Sequence, residues 1–394
     1  MDLKIYTEDI ETEALEQIYR LMAMPAFKDC KVRIMPDVHA GAGCVIGFTA
    51  DLGDKVIPNI VGVDIGCGML TANLGQIDLN LEQLDRHIKQ SIPAGMNVHK
   101  KVQPFDITGL RCYKELKNVN HIECSLGTLG GGNHFIEVDT DSKGNKYLII
   151  HTGSRNLGKQ VAEIYQRKAI DYISGAGKVD EAISTLIETY KAEGRQLEIN
   201  DGIAALKAEY REKVPTMPKE LCYLEGQDRE DYLHDMRICQ EFAVANRKMI
   251  VETICKKMGI QYVDIFETIH NYISFEDNIV RKGAISARKG ERVLIPMNMR
   301  DGCILGVGKG NEDWNNSAPH GAGRLMSRAQ AKREIQLEDF QETMKGIYST
   351  TVNTSTIDEA PFAYKPAQEI IDNIGDSVDI VDILKPIYNF KASE

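Results

Sequence analysis

Several features that would mark a specialised environment are missing from this chain. No apolar run approaches the ~18 residues that a helical membrane span needs, which excludes a transmembrane helix. The nine cysteines form no CxxC pair and no regular spacing, which argues against a zinc ribbon and a disulfide framework. The opening MDLKIYTEDIETEALEQ is too charged for a secretory leader. The expected setting is therefore the cytoplasm, with reduced thiols. Positive charge is in deficit, 47 Lys and Arg against 58 Asp and Glu, for a net charge of -11. Such a surface does not attract nucleic acid at large, so any such contact must come from a local basic site. Linkers, low-complexity tracts and internal repeats are also lacking. What remains is 43% hydrophobic and 27% charged, an ordinary globular composition.

What the chain does have is glycine loops between short apolar runs. Val45–Phe48, Val56–Val61 and Met69–Ala72 read as strands joined by tight turns. Helical periodicity marks Glu11–Met24, Lys159–Ser174, Val179–Lys213 and Asp228–Met258, with Gly259 placed to cap the last. Asn80, with Gln83 three residues on, reads as an N-cap. Strands resume from Ile260, and the chain closes on one that carries Lys391.

The central stretch is Gly127 to Gly158, GTLGGGNHFIEVDTDSKGNKYLIIHTGSRNLG. Its glycines let backbone approach a ligand or bare its N–H groups. His134 and His151, 17 residues apart, sit at the edges of two strands joined as a hairpin, so they can converge on one ion. Asp64 and Cys67 lie three residues apart in the pliable DIGCG loop, and a bound metal would deprotonate the thiol. With His270 these make five ligand types, more than one tetrahedral site needs, which invites a two-metal arrangement. Thiolate softness alone favours zinc or iron. His39 reads as a hydrogen-bonded turn histidine. His320 lies in PHGAGR, read as a glycine turn opening a helix, with Arg324 and Arg328 one and two turns along. A neutral imidazole there can attack phosphorus and form a phosphoramidate.

With MPDVHAGAG, GVDIGCGM, GGGNHFIE, HTGSRNLG, RKGA, PHGAGR, EAPFAYK and the terminal lysine strand in this order, the chain resembles the RtcB family of RNA ligases along nearly its whole length. The resemblance implies an α/β fold in one domain, 1–394. A central strand core would present the glycine-rich metal loops, helices would pack outside, and a mainly helical insertion would span about 159–258. It implies an RNA ligase joining 2′,3′-cyclic phosphate or 3′-phosphate ends to 5′-hydroxyl ends in RNA repair or tRNA splicing, with GTP and an archease-like helper as partners. It also replaces zinc with two manganese ions. Cys67 would bridge them, Asp64 and His134 completing one site and His151 and His270 the other. His320 would carry GMP. Asn133, Phe135, Glu137, Gly321, Ala322, Gly323, Tyr364 and Lys391 match guanylate positions, while Arg155, Lys282, Arg324 and Arg328 match basic positions for RNA or triphosphate. One departure stands at Met297-Asn298-Met299-Arg300, where the family usually has Gly-Ser-Met-Gly; Asn298 takes the nucleotide-facing place, and GTP preference is expected to relax. Two other classes remain: a silent RNA-end-binding protein, and a metal-dependent cyclic phosphodiesterase.

Overall fold

The strand FIEVDT, alternating from Ile136, and the apolar run YLII flank DSKGN and make the central hairpin. The turn is tied by Asp141, whose Oδ1 accepts from the Lys143 and Asn145 N–H groups, while Gly144 takes φ +87°. The computed structural model describes residues 2–213 and 217–392. It places this hairpin, β5 (Phe135–Thr140) and β6 (Lys146–Thr152), inside a seven-stranded sheet. The other members are β4 (Gly68–Gly75), β7 (Asp264–Ile269), β11 (Arg292–Asn298), β12 (Gly302–Gly308) and β14 (Val378–Lys391), in the order β11-β12-β14-β5-β6-β4-β7. Arg292 on one edge strand forms an ion pair with Asp264 on the other, so the sheet curls until its edges meet. Pro386, which cannot donate to a ladder, sits where the β14 register shifts.

Period-two alternation sends one set of side chains inward and the other out. The inner face carries Met69, Phe135, Tyr147, Ile149, Leu294, Cys303 and Leu384. The outer face, with Ala72, Ile136, Val138, Leu148 and Ile150, packs on the helices Leu81–Ser91 and Gly226–Met258 through Leu84, Ile88, Ile250, Val251 and Ile254. Each such buried aliphatic side chain is worth roughly 1.5–3 kcal/mol. The short helix carries the Asn80 cap, with Gln83 N–H bonded to Asn80 Oδ1, and the long one ends at Gly259 in the left-handed region.

A second sheet, of five strands, runs β1 (Asp2–Ile5), β2 (Lys31–His39), β3 (Ile46–Asp51), β9 (Ile279–Lys282), β8 (Asn271–Ile273). A two-stranded ladder joins β10 (Ala284–Ser286) to β13 (Ser317–Pro319). Between Ser174 and Met258 the described chain is mostly helical, through Ala176–Ala192, Ile199–Lys213 and the long helix.

Two local expectations are corrected. Val56–Val61 is not a strand: Pro58, with its fixed φ and missing N–H, starts the helix Pro58–Val61, and Val56 makes only an isolated bridge to Leu224. Nor does His320 open a helix. Gly323 holds φ +77°, and the helix starts only at Arg328, capped by the Ser327 side chain.

Candidate active site

The ligand-type residues converge at one mouth of the curled sheet. Cross-strand pairing sets Phe135 opposite His151 and His151 opposite Met69. His134 comes just before β5, and the Asp64–Cys67 loop leads into β4. His270 follows β7 directly; its N–H bonds to Cys67 O, and Gly66 N–H bonds to Asn271 O. Two groups result, Asp64, Cys67 and His134, and Cys67, His151 and His270, each with its ligand atoms within 4.8 Å of one another. Cys67 belongs to both. Its Sγ lies 3.6 Å from His134 Nε2 and 3.4 Å from His151 Nε2.

These groups fit a metal on their own chemistry. His134 Nδ1 lies 3.0 Å from Leu129 O, and His151 Nδ1 lies 3.2 Å from Asn133 O. A carbonyl only accepts, so each ring donates through Nδ1 and bears its lone pair on Nε2. The His134 lone pair then faces Asp64 Oδ2 at 2.9 Å, and that of His151 faces His270 Nε2 at 3.4 Å. Asp64 Oδ1 is buried without a partner. The His134 lone pair and the Asp64 carboxylate, both acceptors, repel at this distance unless a cation lies between them. Burial, with neighbouring histidines, holds His151 and His270 well below the ordinary imidazole value, in the neutral form that binds metals. Burial works to raise Asp64, but the Arg155 charge counters it, and the carboxylate stays below its ordinary value. The Cys67 thiol is pushed well up by burial and then by Asp64, so ligation by thiolate needs the cation to displace its proton.

His320 stands beside these groups, its ring centroid 4.9 Å from that of His270. Asp37, fully buried on β2, accepts from both the His320 backbone N–H, at 3.0 Å, and Nδ1, at 2.7 Å. That bond fixes the proton on Nδ1 and leaves Nε2 with a free lone pair. Gly323 is needed for this approach, since a Cβ there would stand 2.6 Å from Asp37 O.

A cavity of about 350 Å³ opens from His320 past Asp64, Cys67, His151 and His270. Asn133, Phe135, Glu137, Tyr364 and Lys391 line its walls, together with Asn298 and the run Gly321, Ala322, Gly323. The Asn298 amide is spent in its own turn, donating to Asp301 Oδ2 and accepting from the Arg300 and Asp301 N–H groups. Lys391 forms an ion pair with buried Glu359, which also holds Arg324, Arg328 and the Tyr364 hydroxyl. Burial would raise Glu359, but Lys391, Arg328 and Arg324 hold it at about 2.

The four basic residues therefore do not form an open patch. Arg324 and Arg328 line the cavity but are tied to Glu359 and Asp358. Lys282 is buried, its Nζ donating to Ala42 O and Asn59 O. Arg155 packs its guanidinium over Gly130 and reaches Thr128 Oγ1 at 3.3 Å.

Sequence reasoning missed the supports. Arg247, on the long helix, is fully buried and donates to both Gly66 O and Thr152 O at 2.8 Å, lacing together the loops beside Cys67 and His151. Its neighbour Asn246 binds the Gly127 and Thr128 N–H groups and Gly153 O. Asp37 and Glu359 also went unassigned, although both lie in stretches that had drawn notice. His39, Asn271 and Asn389 line the cavity as well. Asn389 had a signal, standing two residues before Lys391 on the same face of a strand.

Comparison with known proteins agrees with this geometry. A family model described as tRNA-splicing ligase RtcB matches residues 17–118 and 112–392. Two Escherichia coli proteins, RNA-splicing ligase RtcB1 and, from strain K12, RNA-splicing ligase RtcB, are each 29% identical over 99% of this chain and 97% of their own length. The tRNA-splicing ligase RtcB of Archaeoglobus fulgidus is 27% identical over 92% of this chain and 87% of its own. With the match running through every loop that builds the cavity, the chain belongs to the RtcB family of RNA ligases.

Proposed function

We propose that the chain seals RNA 2′,3′-cyclic phosphate or 3′-phosphate ends to 5′-hydroxyl ends, using GTP and manganese, through GMP held covalently on His320. The observation that carries this reading is an imidazole oriented by a buried carboxylate, in one cavity with two ligand groups that share a thiol. Asp64, Cys67 and His134 would hold one manganese ion, and Cys67, His151 and His270 the other. When bound, the ions supply positive charge that offsets the phosphates and the leaving pyrophosphate.

The chain's own groups do the rest. Asp37 holds the Nδ1 proton, so Nε2 attacks the α-phosphorus of GTP; the N–P bond forms as the bond to pyrophosphate breaks. Positive charge developing on the ring is balanced by Asp37. Phe135 and Tyr364 offer ring surfaces for the base, and Glu137 an acceptor for its edge. A 3′-phosphate end that takes GMP from His320 acquires a leaving group, and a 5′-hydroxyl can then displace GMP. Contributions to the cavity run from His39 to Lys391, and Asp37 holds His320 from outside its lining, so we take the whole chain as one catalytic unit, with the 159–258 helices as an insertion.

The test uses RNA with a 2′,3′-cyclic phosphate or 3′-phosphate end and a 5′-hydroxyl end, supplied with manganese and GTP. A joined product that requires both is expected. Opening of a cyclic phosphate without joining, or no product, contradicts the proposal.

A further inference from the structure

Below the cavity the curled sheet encloses a second acidic residue beside Glu137. Glu137 and Asp139 lie two residues apart on the inner face of β5, and Cys303 of β12 reaches them, all three ligand atoms falling within 4.8 Å of one another. Asp139 is fully buried, and neither of its oxygens has a hydrogen-bond partner. Glu137, also buried, accepts from the Asn389 amide on β14 and lies 3.8 Å from Cys303 Sγ. Among the described residues no ion pair joins either carboxyl to a cation. Lys391 is committed to Glu359, and Lys385 on β14 is exposed. Tyr147, the β6 neighbour of Asp139, gives its hydroxyl to Asp141.

Two carboxylates buried side by side without a cation do not both ionise, so the pair shares a proton and titrates as a unit. We propose that Asp139 is a specificity-determining residue: it shares a proton with Glu137, so that Glu137 exchanges between carboxylate and carboxylic acid as the pair titrates and purine selection becomes pH-dependent. This rests on the reading that a nucleotide base meets Glu137 in the cavity. A carboxylate offers two acceptors, which suit guanine N1–H and its 2-amino group and repel the adenine N1 lone pair. A neutral carboxyl offers one donor and one acceptor, which suit the adenine 6-amino and N1 edge as well as guanine O6 and N1–H. Guanine preference therefore weakens as pH falls. The charge environment agrees: burial pushes Glu137 well up, with Asp139 adding to it, and burial lifts Asp139 to about 7.

The test measures covalent labelling of the full chain with α-labelled GTP and ATP in parallel, with manganese, between about pH 6 and 8.5, a range that spans the unperturbed histidine value. The ratio cancels the protonation of His320 and of the metal ligands, which both nucleotides share. The GTP-to-ATP ratio is expected to rise about tenfold across this range, the worth of one hydrogen bond gained or lost, and in Asp139→Asn, where Glu137 stays buried but the second carboxyl is gone, the rise is expected to move to lower pH. A wild-type ratio that does not move, as expected if the three groups held a cation, overturns the inference and leaves the ligase reading intact. That profile needs no variant to fold. If Asp139→Asn keeps the wild-type pH dependence, the role of Asp139 falls. If neither nucleotide labels the protein, the inference falls together with the reading it rests on.

Discussion

Asp37 should govern how readily His320 accepts GMP. Its carboxylate is fully buried, 2.7 Å from Nδ1, and also receives the His320 backbone N–H. When Nε2 bonds to phosphorus the ring becomes cationic, so this contact strengthens towards the transition state. A hydrogen bond to a charged group is worth about 1.5–3 kcal/mol. Its loss in Asp37→Ala should therefore slow nucleotide transfer about 10- to 150-fold, at about 1.4 kcal/mol per decade. In Asp37→Asn a neutral acceptor remains, and the loss should be nearer tenfold. The assay is single-turnover labelling with α-labelled GTP at saturating nucleotide and manganese. Metal content should not change, because Asp37 belongs to neither metal group. Labelling of folded Asp37→Ala at the wild-type rate would refute the reasoning.

Other perturbations separate the parts of the site. Cys67→Ala should lower the content of both metals together, read by elemental analysis, since its thiol is common to both groups; loss of one ion alone contradicts the bridge. In Gly153→Ala the new Cβ would stand 2.2 Å from Asp64 Oδ1, so occupancy beside Asp64 should drop while the His151 and His270 site keeps its ion. Glu359→Gln leaves Lys391, Arg324 and Arg328 without their buried anion and should cost about 3–5 kcal/mol in denaturant unfolding. Because Glu359 is depressed from 4.5 to about 2, its stabilisation, about 3 kcal/mol, is present above pH 4.5 and disappears as pH falls through 2. The variant should lack that acid-side slope; an unchanged slope assigns the loss to other carboxylates.

Parts of this arrangement were legible because local rules set them. The DSKGN turn fixes the β5–β6 register, and with it the approach of His151 to His134. Asn80 and Gly259 act where capping chemistry puts them. Long-range partners left no such mark. Asp37 and His320 meet across 283 residues, and no spacing rule links them. On the long helix, periodicity identified the apolar face, but Asn246 and Arg247 are polar residues buried because backbone of the glycine loops needs them. Arg324 and Arg328 looked free for phosphate because their anions, Asp358 and Glu359, lie about 30 residues on in a different segment. The apolar run at Val56–Val61 fits strand and helix alike, and Pro58 decides for helix.

The central claim is that His320 carries the nucleotide. The most direct measurement is peptide mapping of the adduct formed with manganese and α-labelled GTP, run beside His320→Ala. The account predicts an acid-labile label on the peptide containing His320, and in the variant normal manganese content with no label. Label on Lys391 or another histidine, or a labelled His320→Ala protein, would contradict it.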